Sequence, residues 1–284
     1  MTAGEAAIRV SGLTKRYGDA VAVDGLDLEV RHGETFALLG PNGAGKTTTT
    51  EILEGYRKRD GGEVSVLGQD PQRADRRWRS RIGIVTQESA DVYELTVGEI
   101  VRHFAGYFPR PRPAGEVIEL VGLGDKGRSR VSALSGGQRR RLDVALGIVG
   151  DPRLLFLDEP TTGFDPEARR QFWELIRALR TAGTTILLTT HYLEEAEQLA
   201  DRAAVINHGR IVAVDRPDLL GGRNLAAATV GWTDPLEGAR SVQTDAPTTL
   251  VAQLAARFSG EVPDLTVTRP TLEDVYLQLI EEGS

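Results

Sequence analysis

Residues 40–50 read GPNGAGKTTTT and directly follow the apolar segment TFALL. The window contains Gly40, Gly45, Lys46 and Thr47 in the pattern GxxxxGK[ST], and the apolar segment before it predicts a buried strand. Glycines let successive backbone N–H groups turn inward around an anion, and a helix opening near Lys46 adds the positive end of its dipole. Lys46 supplies a charge for terminal phosphates, and the Thr47 hydroxyl suits Mg²⁺. This context favours a phosphate-binding loop over a plain glycine-rich turn.

Composition restricts the class of protein. The chain has 284 residues, 40% of them hydrophobic, which fits one large domain and a smaller one. A net charge of −7 argues against a broad nucleic-acid-binding surface, although a local basic patch such as residues 73–81 stays open. With no cysteine, disulfides and thiolate metal sites are excluded. The start MTAGEAAIRV lacks the features of a signal peptide, and no apolar run suits a spanning helix, so we expect a cytoplasmic protein.

The order of apolar and helical patterns predicts an α/β fold. A mostly parallel core sheet is expected, and the alternating segments 8–17 and 21–30 near the start predict an antiparallel β edge. Strand signals vanish over about 88–150, where we expect an inserted helical subdomain, and the chain after residue 215 predicts a small α+β domain. Strands are predicted near 35–39, 82–86, 153–158, 184–190 and 203–207, and helices after residues 45, 166 and 192.

A carboxylate pair closes the strand RLLFLDEP at residues 153–160. Asp158 ends this buried strand at the edge from which the phosphate-binding loop also emerges, so it is a candidate for holding Mg²⁺. Glu159 points away from its neighbour and is a candidate for the base that polarises an attacking water. An acidic turn after a core strand is the simpler alternative.

The segment ALSGGQRRRLDVALGIV at residues 133–149 predicts a second anion site. Ser135 can cap a helix that begins at about Gly136, and two glycines expose backbone N–H groups. This helix lies far from the first loop in the sequence, so it has no nucleotide of its own. The arginines 139–141 in its first turns are interpreted as a solvated or acid-paired face without a function.

Four motifs together resemble the ATP-binding cassette (ABC) ATPases: GPNGAGKT, LSGGQ, LLFLDEP and His191 after a strand. The resemblance covers residues 6–215, and it implies a head-to-tail homodimer in which ATP on one chain's loop is capped by the other chain's LSGGQ helix. It also implies ATP and Mg²⁺ as ligands. Residues 216–284 lie outside the minimal cassette, and their end RPTLEDVYLQL resembles cassettes of daunorubicin-resistance-type exporters.

The resemblance assigns roles residue by residue. A simpler alternative stays open for two residues, since Gln87 would also fit a surface glutamine and Tyr17 a core tyrosine. Metal binding by His191 is disfavoured because the other histidines are scattered along the sequence. Asp165 resembles an aspartate that communicates across the dimer, although the phenylalanine in TTGFD departs from the family's pattern. The implied catalytic residues are Glu159, His191 and Gln87, and the implied metal-binding residues are Thr47, Gln87 and Asp158. Nucleotide contacts are implied for Tyr17, Gly40, Pro41, Asn42, Gly43, Ala44, Gly45, Lys46, Thr47 and Thr48, and contacts across the dimer for Ser135, Gly136, Gly137 and Gln138.

By this resemblance, ATP joins two cassettes, and hydrolysis reopens their interface. The motion would pass to a separate membrane permease through a groove near residues 87–99, which would hold the chain on the inner face of the membrane. Export of a drug or other amphipathic compound is expected from the C-terminal resemblance. Two alternatives stay open, a soluble ATPase that acts on ribosomes or DNA and a subunit of an importer.

Overall fold

The computed structural model describes residues 6–86, 94–223 and 226–282. The chain forms two compact units, Met1–Val214 and Asp215–Ser284. The strands up to residue 215 are β1 (Ala6–Tyr17), β2 (Ala20–Arg31), β3 (Thr35–Leu39), β4 (Gly61–Val66), β5 (Ile82–Val85), β6 (Leu154–Asp158), β7 (Thr185–Thr190), β8 (Arg202–Asn207) and β9 (Arg210–Asp215). The helices are α1 (Lys46–Leu53), α2 (Arg76–Arg79), α3 (Val97–Ala105), α4 (Ala114–Leu120), α5 (Gly136–Ile148), α6 (Pro166–Thr181) and α7 (Leu193–Leu199).

A six-stranded sheet in the order β5-β6-β7-β3-β8-β9 forms the centre of the first unit. Neighbouring strands from β5 to β8 run parallel, and β3, β6 and β7 are buried along almost their whole length, as apolar strands covered on both faces are. The register pairs Asp158 with Thr189 and Leu39 with Thr190. The carboxyl ends of β3, β6 and β7 therefore share one edge. The predicted α/β class with a mostly parallel core sheet is confirmed.

The antiparallel strands form a sheet of their own, in the order β2-β1-β4, instead of an edge of the core sheet. Buried and exposed residues largely alternate along β2, so one of its faces joins the core. Helix α1 and the fully buried Trp78 lie in the same apolar cluster as both sheets. The indole N–H of Trp78 donates to the carbonyl of Val66, which satisfies its only polar group.

The part of the chain that connects β5 to β6 contains helices α3, α4 and α5, which pack against one another. Helix α3 begins with a capping box, in which Thr96 accepts from the N–H of Glu99 and the Glu99 carboxylate accepts from the N–H of Thr96. The helices predicted for 88–150 are present over the described part of that segment. Residues 88–93 lie outside the described residues.

The second unit contains β10 (Ala228–Asp234), β11 (Gly238–Thr244), α8 (Pro247–Arg257), β12 (Thr266–Thr268) and α9 (Leu272–Glu282). Its antiparallel strands have the order β11-β10-β12. Val230, Trp232, Leu254 and Val262 form its small apolar cluster. The predicted α+β content of this region is confirmed, including the threonine cap of α9, where Thr271 accepts from the N–H of Asp274 at 3.2 Å.

Candidate functional site

A glycine-rich loop connects β3 to α1 at the carboxyl edge of the core sheet. Gly45 precedes the helix with a φ of 107°, and a Cβ there would lie 2.5 Å from the carbonyl oxygen of Ala22. Close approach and positive φ together require glycine. The turn between β8 and β9 also supports this loop, because the N–H of Gly209 donates to the carbonyl of Ala44 at 2.9 Å.

Lys46 is the buried cation of the site, with a relative exposure of 6%. Its Nζ donates to the carbonyl oxygens of Gly40 at 2.7 Å and Pro41 at 3.2 Å. Burial lowers the pKa of Lys46, and the nearby carboxylates of Glu159 and Asp158 partly offset this change. The lysine therefore lies within electrostatic reach of both acids that the strand β6 delivers.

One cleft of about 370 Å³ joins the loop to Glu159. Its lining includes the hydroxyl-bearing residues Thr47 and Thr48 and the acidic residue Glu159. The lining residues are Ala22, Asn42, Gly43, Gly45, Lys46, Thr47, Thr48 and Glu159.

The backbone turns sharply between the two carboxylates. Asp158 ends β6, and its carboxylate accepts a hydrogen bond from the hydroxyl of Thr189 on β7. Glu159 has a φ of 43°, a costly conformation for a residue with a side chain, and its N–H donates to the carbonyl of Thr189 at 3.1 Å. After this turn, the side chain of Asp158 contacts Thr189, whereas Glu159 lines the cleft.

His191 follows β7 and meets Glu159 across the sheet edge. Its Nδ1 lies 3.3 Å from Oε1 of Glu159, and its ring lies 4.1 Å, between centroids, from that of Tyr192. The histidine can therefore orient the carboxylate that lines the cleft.

The donor set of the site fits Mg²⁺. Hydroxyl and carboxylate oxygens are its preferred protein ligands, and Mg²⁺ is usually held by one or two carboxylates together with substrate phosphates. Thr47 supplies such an oxygen at the glycine-rich loop, and Asp158 lies near enough to Lys46 to affect its pKa. No group of three or more His, Asp or Glu side chains converges as a metal site among the described residues.

Ser135 caps α5 on the surface, as the sequence predicts. Its hydroxyl accepts from the N–H of Gln138 at 3.3 Å, and the Gln138 side chain accepts from the N–H of Ser135 at 3.0 Å. Ser135 and Gly136 are exposed, while Gly137 and Gln138 are half-buried. The described lining of the Lys46 cleft does not include these four residues, so the structure does not bring them to their own chain's loop.

Tyr17 lies at the end of β1 with 43% of its surface exposed. Nζ of Lys15 and the guanidinium of Arg57 lie 5.4 and 5.3 Å from its ring centroid. The ring is thus an accessible aromatic surface and not a buried core residue. Gln87 lies outside the described residues.

Asp165 caps helix α6 by accepting from the N–H groups of Glu167 and Ala168, at 3.0 and 2.8 Å. The neighbouring Phe164, which departs from the family's pattern, packs edge-on against Phe172 of α6, with ring centroids 5.7 Å apart. The phenylalanine therefore stabilises the start of this helix.

Residues 139–141 are interpreted from the sequence as a solvated or acid-paired face. The guanidinium of Arg140 lies 3.9 Å from the carboxylate of Asp143, but the solvated alternative is wrong for Arg140. Its relative exposure is 8%, and its guanidinium donates to the carbonyl oxygens of Thr86, Asp158 and Pro160. The sequence did contain one sign that Arg140 is buried: at helical spacing it shares a face with the apolar Val144, four positions later.

Comparisons with known proteins show the family of the chain. The model of the ABC transporter family matches residues 23–162. The chain is 40% identical to the daunorubicin resistance ATP-binding protein DrrA2 of Streptomyces coeruleorubidus, across 96% of this chain and 94% of the relative. It is 43% identical to the Nod factor export ATP-binding protein I of Ralstonia nicotianae, across 89% and 79% of the two chains.

Solved structures show the same fold. The cbiO1 protein of Clostridium perfringens, described as part of the ABC transporter complex cbiONQ, aligns with a TM-score of 0.69 at 26% identity, over 75% of this chain and 90% of that one. An ATP-binding subunit of an ABC transporter aligns with a TM-score of 0.70 at 22% identity, over 96% and 98%. No helix in the described part of the chain is long and apolar enough to span a membrane.

Proposed function

Because this chain belongs to the ABC transporter ATP-binding family, we propose that it is the ATP-hydrolysing subunit of an exporter and works with a separate membrane subunit. The observation that carries the proposal is the cleft in which the Asn42–Thr48 loop, the buried Lys46 and the carboxylate of Glu159 meet. Export is favoured because relatives that match over most of their length are named for drug resistance and for Nod factor export.

The loop binds the phosphates of ATP. Backbone N–H groups from residues 40–48 surround the phosphate oxygens, and Lys46 exchanges its bonds to loop carbonyls for bonds to the terminal phosphates. Tyr17 stacks on the adenine ring through its exposed face. With the phosphates at the loop and adenine at Tyr17, the adenine ring would lie near the β1–β2 hairpin.

Glu159 acts as the general base. It accepts a proton from the water that attacks the terminal phosphorus, and the bond to the departing ADP oxygen breaks. His191 fixes the carboxylate in place through its Nδ1, 3.3 Å away, and can contact the terminal phosphate with the rest of its ring. Gln87 is assigned to the same water and metal on the strength of the family resemblance alone.

Thr47, Asp158 and Gln87 would hold Mg²⁺, which neutralises phosphate charge when it is bound. The hydroxyl of Thr189 donates to Asp158 and limits the directions in which that carboxylate can turn. Lys46 supplies a second positive charge at the same phosphates.

Two copies of the chain assemble head to tail on ATP. The capped start of α5 exposes Ser135 and Gly136, yet it is absent from the described lining of its own chain's cleft. A helix N-terminus of this kind binds anions, so the terminal phosphate of ATP held by the other copy is its proposed ligand. Gly137 and Gln138 complete this contact.

The decisive experiment expresses tagged Glu159→Gln chain in its own host and identifies the proteins that copurify in the presence of ATP. Loss of the base keeps ATP bound and prolongs the closed dimer, so a multispanning membrane protein should be recovered in comparable amount. The matched control carries Lys46→Ala in addition, which removes ATP binding and should release the partner.

Other results would contradict parts of this function. Recovery of ribosomes or DNA without a membrane protein would replace the exporter by a soluble ABC ATPase. Transport into the cell by the recovered complex would identify an importer. Either result would leave ATP hydrolysis by the cassette intact.

A further inference from the structure

The guanidinium of Arg140 connects three separate chain segments beneath the cleft. Its Nε donates to the carbonyl of Pro160 at 3.0 Å, one terminal nitrogen donates to the carbonyl of Asp158 at 2.8 Å, and the other donates to the carbonyl of Thr86. All three acceptors are backbone atoms. A planar guanidinium with five donors is suited to such a fork of acceptors.

Backbone carbonyls provide most of the short contacts that compensate this buried charge. Its closest carboxylate contact is with Asp143 on the same helix, at 3.9 Å. Burial lowers the pKa of Arg140, and the charges of Asp143, Asp158 and Glu195 act in the opposite direction. A buried cation is costly unless its hydrogen bonds are satisfied, so these carbonyls are held firmly where they are.

Two of the carbonyls flank the proposed base. Asp158 precedes Glu159 and Pro160 follows it, so Arg140 binds the carbonyl oxygens of the residues on both sides of Glu159, whose φ is 43°. The N–H of Glu159 is held separately by Thr189. A strained backbone conformation persists only where its surroundings fix it, and these bonds supply that restraint.

The third carbonyl and the helix itself connect this restraint to two other segments of the chain. Thr86 immediately precedes Gln87, and Arg140 lies in the second turn of α5, whose first residues are proposed to bind the other copy's ATP. Helix α5 also packs directly on β5, because a Cβ at Gly147 would lie 2.8 Å from Cγ2 of Val85. The side chain of Arg140 therefore connects helix α5 to the backbone on both sides of Glu159.

We propose that Arg140 is a positioning residue for ATP hydrolysis, which fixes the backbone of Glu159 and ties it to the ATP-capping helix α5. This inference rests on the proposed function, because it needs Glu159 as the base. Arg140 is not among the described residues that line the cleft. It acts on turnover through Glu159 and leaves the phosphate-binding loop unchanged.

The test compares Arg140→Gln and Arg140→Lys with Arg141→Gln. Arg141 is the neighbour on the same helix and donates to the side chain of Gln171 on the surface, so its substitution removes the same charge without the carbonyl contacts. We measure kcat, KM and the dissociation constant of ATP for each purified full-length chain. Thermal unfolding checks that each variant is folded.

We expect kcat to fall at least tenfold in Arg140→Gln, while KM and the ATP dissociation constant stay within about twofold. Arg140→Lys should also lose turnover, because an ammonium group cannot reach all three carbonyls at once. Arg141→Gln should retain the wild-type kcat. A loss of ATP affinity equal to the loss of kcat would instead show general damage to the fold and would overturn the inference.

A double-substitution cycle provides the second test. If Arg140 acts through Glu159, then Arg140→Gln should reduce the residual rate of the Glu159→Gln chain by less than twofold. Undiminished turnover in a folded Arg140→Lys chain would overturn this inference alone. Absence of turnover in the wild type would overturn the proposed function together with it.

Discussion

Nδ1 of His191 lies 3.3 Å from Oε1 of Glu159, and the two residues follow the neighbouring parallel strands β7 and β6. The sheet register sets this proximity, because Asp158 pairs with Thr189 and each strand then delivers its next residues to the same edge. The proposed base and the residue proposed to orient it thus both follow strands of the core sheet.

His191→Ala should lower kcat by about 10- to 100-fold, because the carboxylate of Glu159 loses the group that orients it. Stopped-flow phosphate release measures the effect. Substituting His191 in the Glu159→Gln chain should add little, since both changes remove the same interaction. His103→Ala is the control, because this exposed histidine contacts Tyr107 at 3.0 Å, away from the cleft. Full activity of His191→Ala would exclude the orienting role.

Lys46→Ala should weaken ATP binding at least tenfold, because the change removes the buried charge that is proposed to bind the terminal phosphates. Equilibrium dialysis with labelled ATP provides the dissociation constant. Lys58→Ala is the control. It removes an exposed lysine after helix α1, and its dissociation constant for ATP should equal that of the wild type. Equal affinity in the two variants would remove Lys46 from the phosphate site.

Glu54→Gln should stabilise the chain, and its advantage should grow with pH. Burial raises the pKa of Glu54 from 4.5 to about 8, with further increases from Asp158 and Glu51. The folded chain therefore binds more protons than the unfolded chain between these pH values, so wild-type stability falls as pH rises from about 4.5 to 8 and levels off above 8. The Glu54→Gln chain has no carboxyl group at this position, so its stability does not fall for this reason as the pH rises.

Urea unfolding at pH 5, 7 and 9 measures this effect. We expect the difference in unfolding free energy to increase by about 1–2 kcal/mol from pH 5 to pH 7, allowing for partial exposure of the carboxyl. Glu63→Gln on the exposed face of β4 is the control and should show no such trend. A constant difference across this range would show that Glu54 ionises normally.

The phosphate-binding loop and the carboxylate pair could be predicted from the sequence because their structure is local. Residues 40–45 connect a buried strand to a helix that begins at Lys46. A buried strand that ends in Asp158 must deliver it to the carboxyl edge of a parallel sheet. The cap of α5 by Ser135 is equally local, since its partner Gln138 lies three residues away. In each case the chemistry and the geometry lie within one short segment.

The role of Arg140 could not be predicted because its acceptors are backbone atoms of distant residues. The carbonyl of Thr86 is 54 positions away and that of Asp158 is 18 positions away. Any residue type provides a carbonyl, so no side-chain pattern marks these partners. Only the helical face that Arg140 shares with Val144 indicated burial.

Gly45→Ala should cost more stability than Gly43→Ala, although both glycines have positive φ, 107° and 81°. A Cβ at residue 45 would lie 2.5 Å from the carbonyl oxygen of Ala22, whereas a Cβ at residue 43 meets no atom within 4 Å. Positive φ alone costs about 1–2 kcal/mol for a residue with a side chain, and the clash adds to that cost at residue 45 only.

Thermal and urea unfolding of the two variants separate these effects, with Gly68→Ala as a reference for positive φ outside the loop, at 79° and without a neighbour within 4 Å. Gly43→Ala and Gly68→Ala should lose similar stability, and Gly45→Ala should lose roughly 1 kcal/mol or more beyond them. Gly45→Ala should also lose ATP binding, because the backbone can relieve the clash only by moving the start of α1. Equal stability in all three variants would show that the loop yields to the added methyl group at no cost, and the close approach to Ala22 would then have no part in shaping the site.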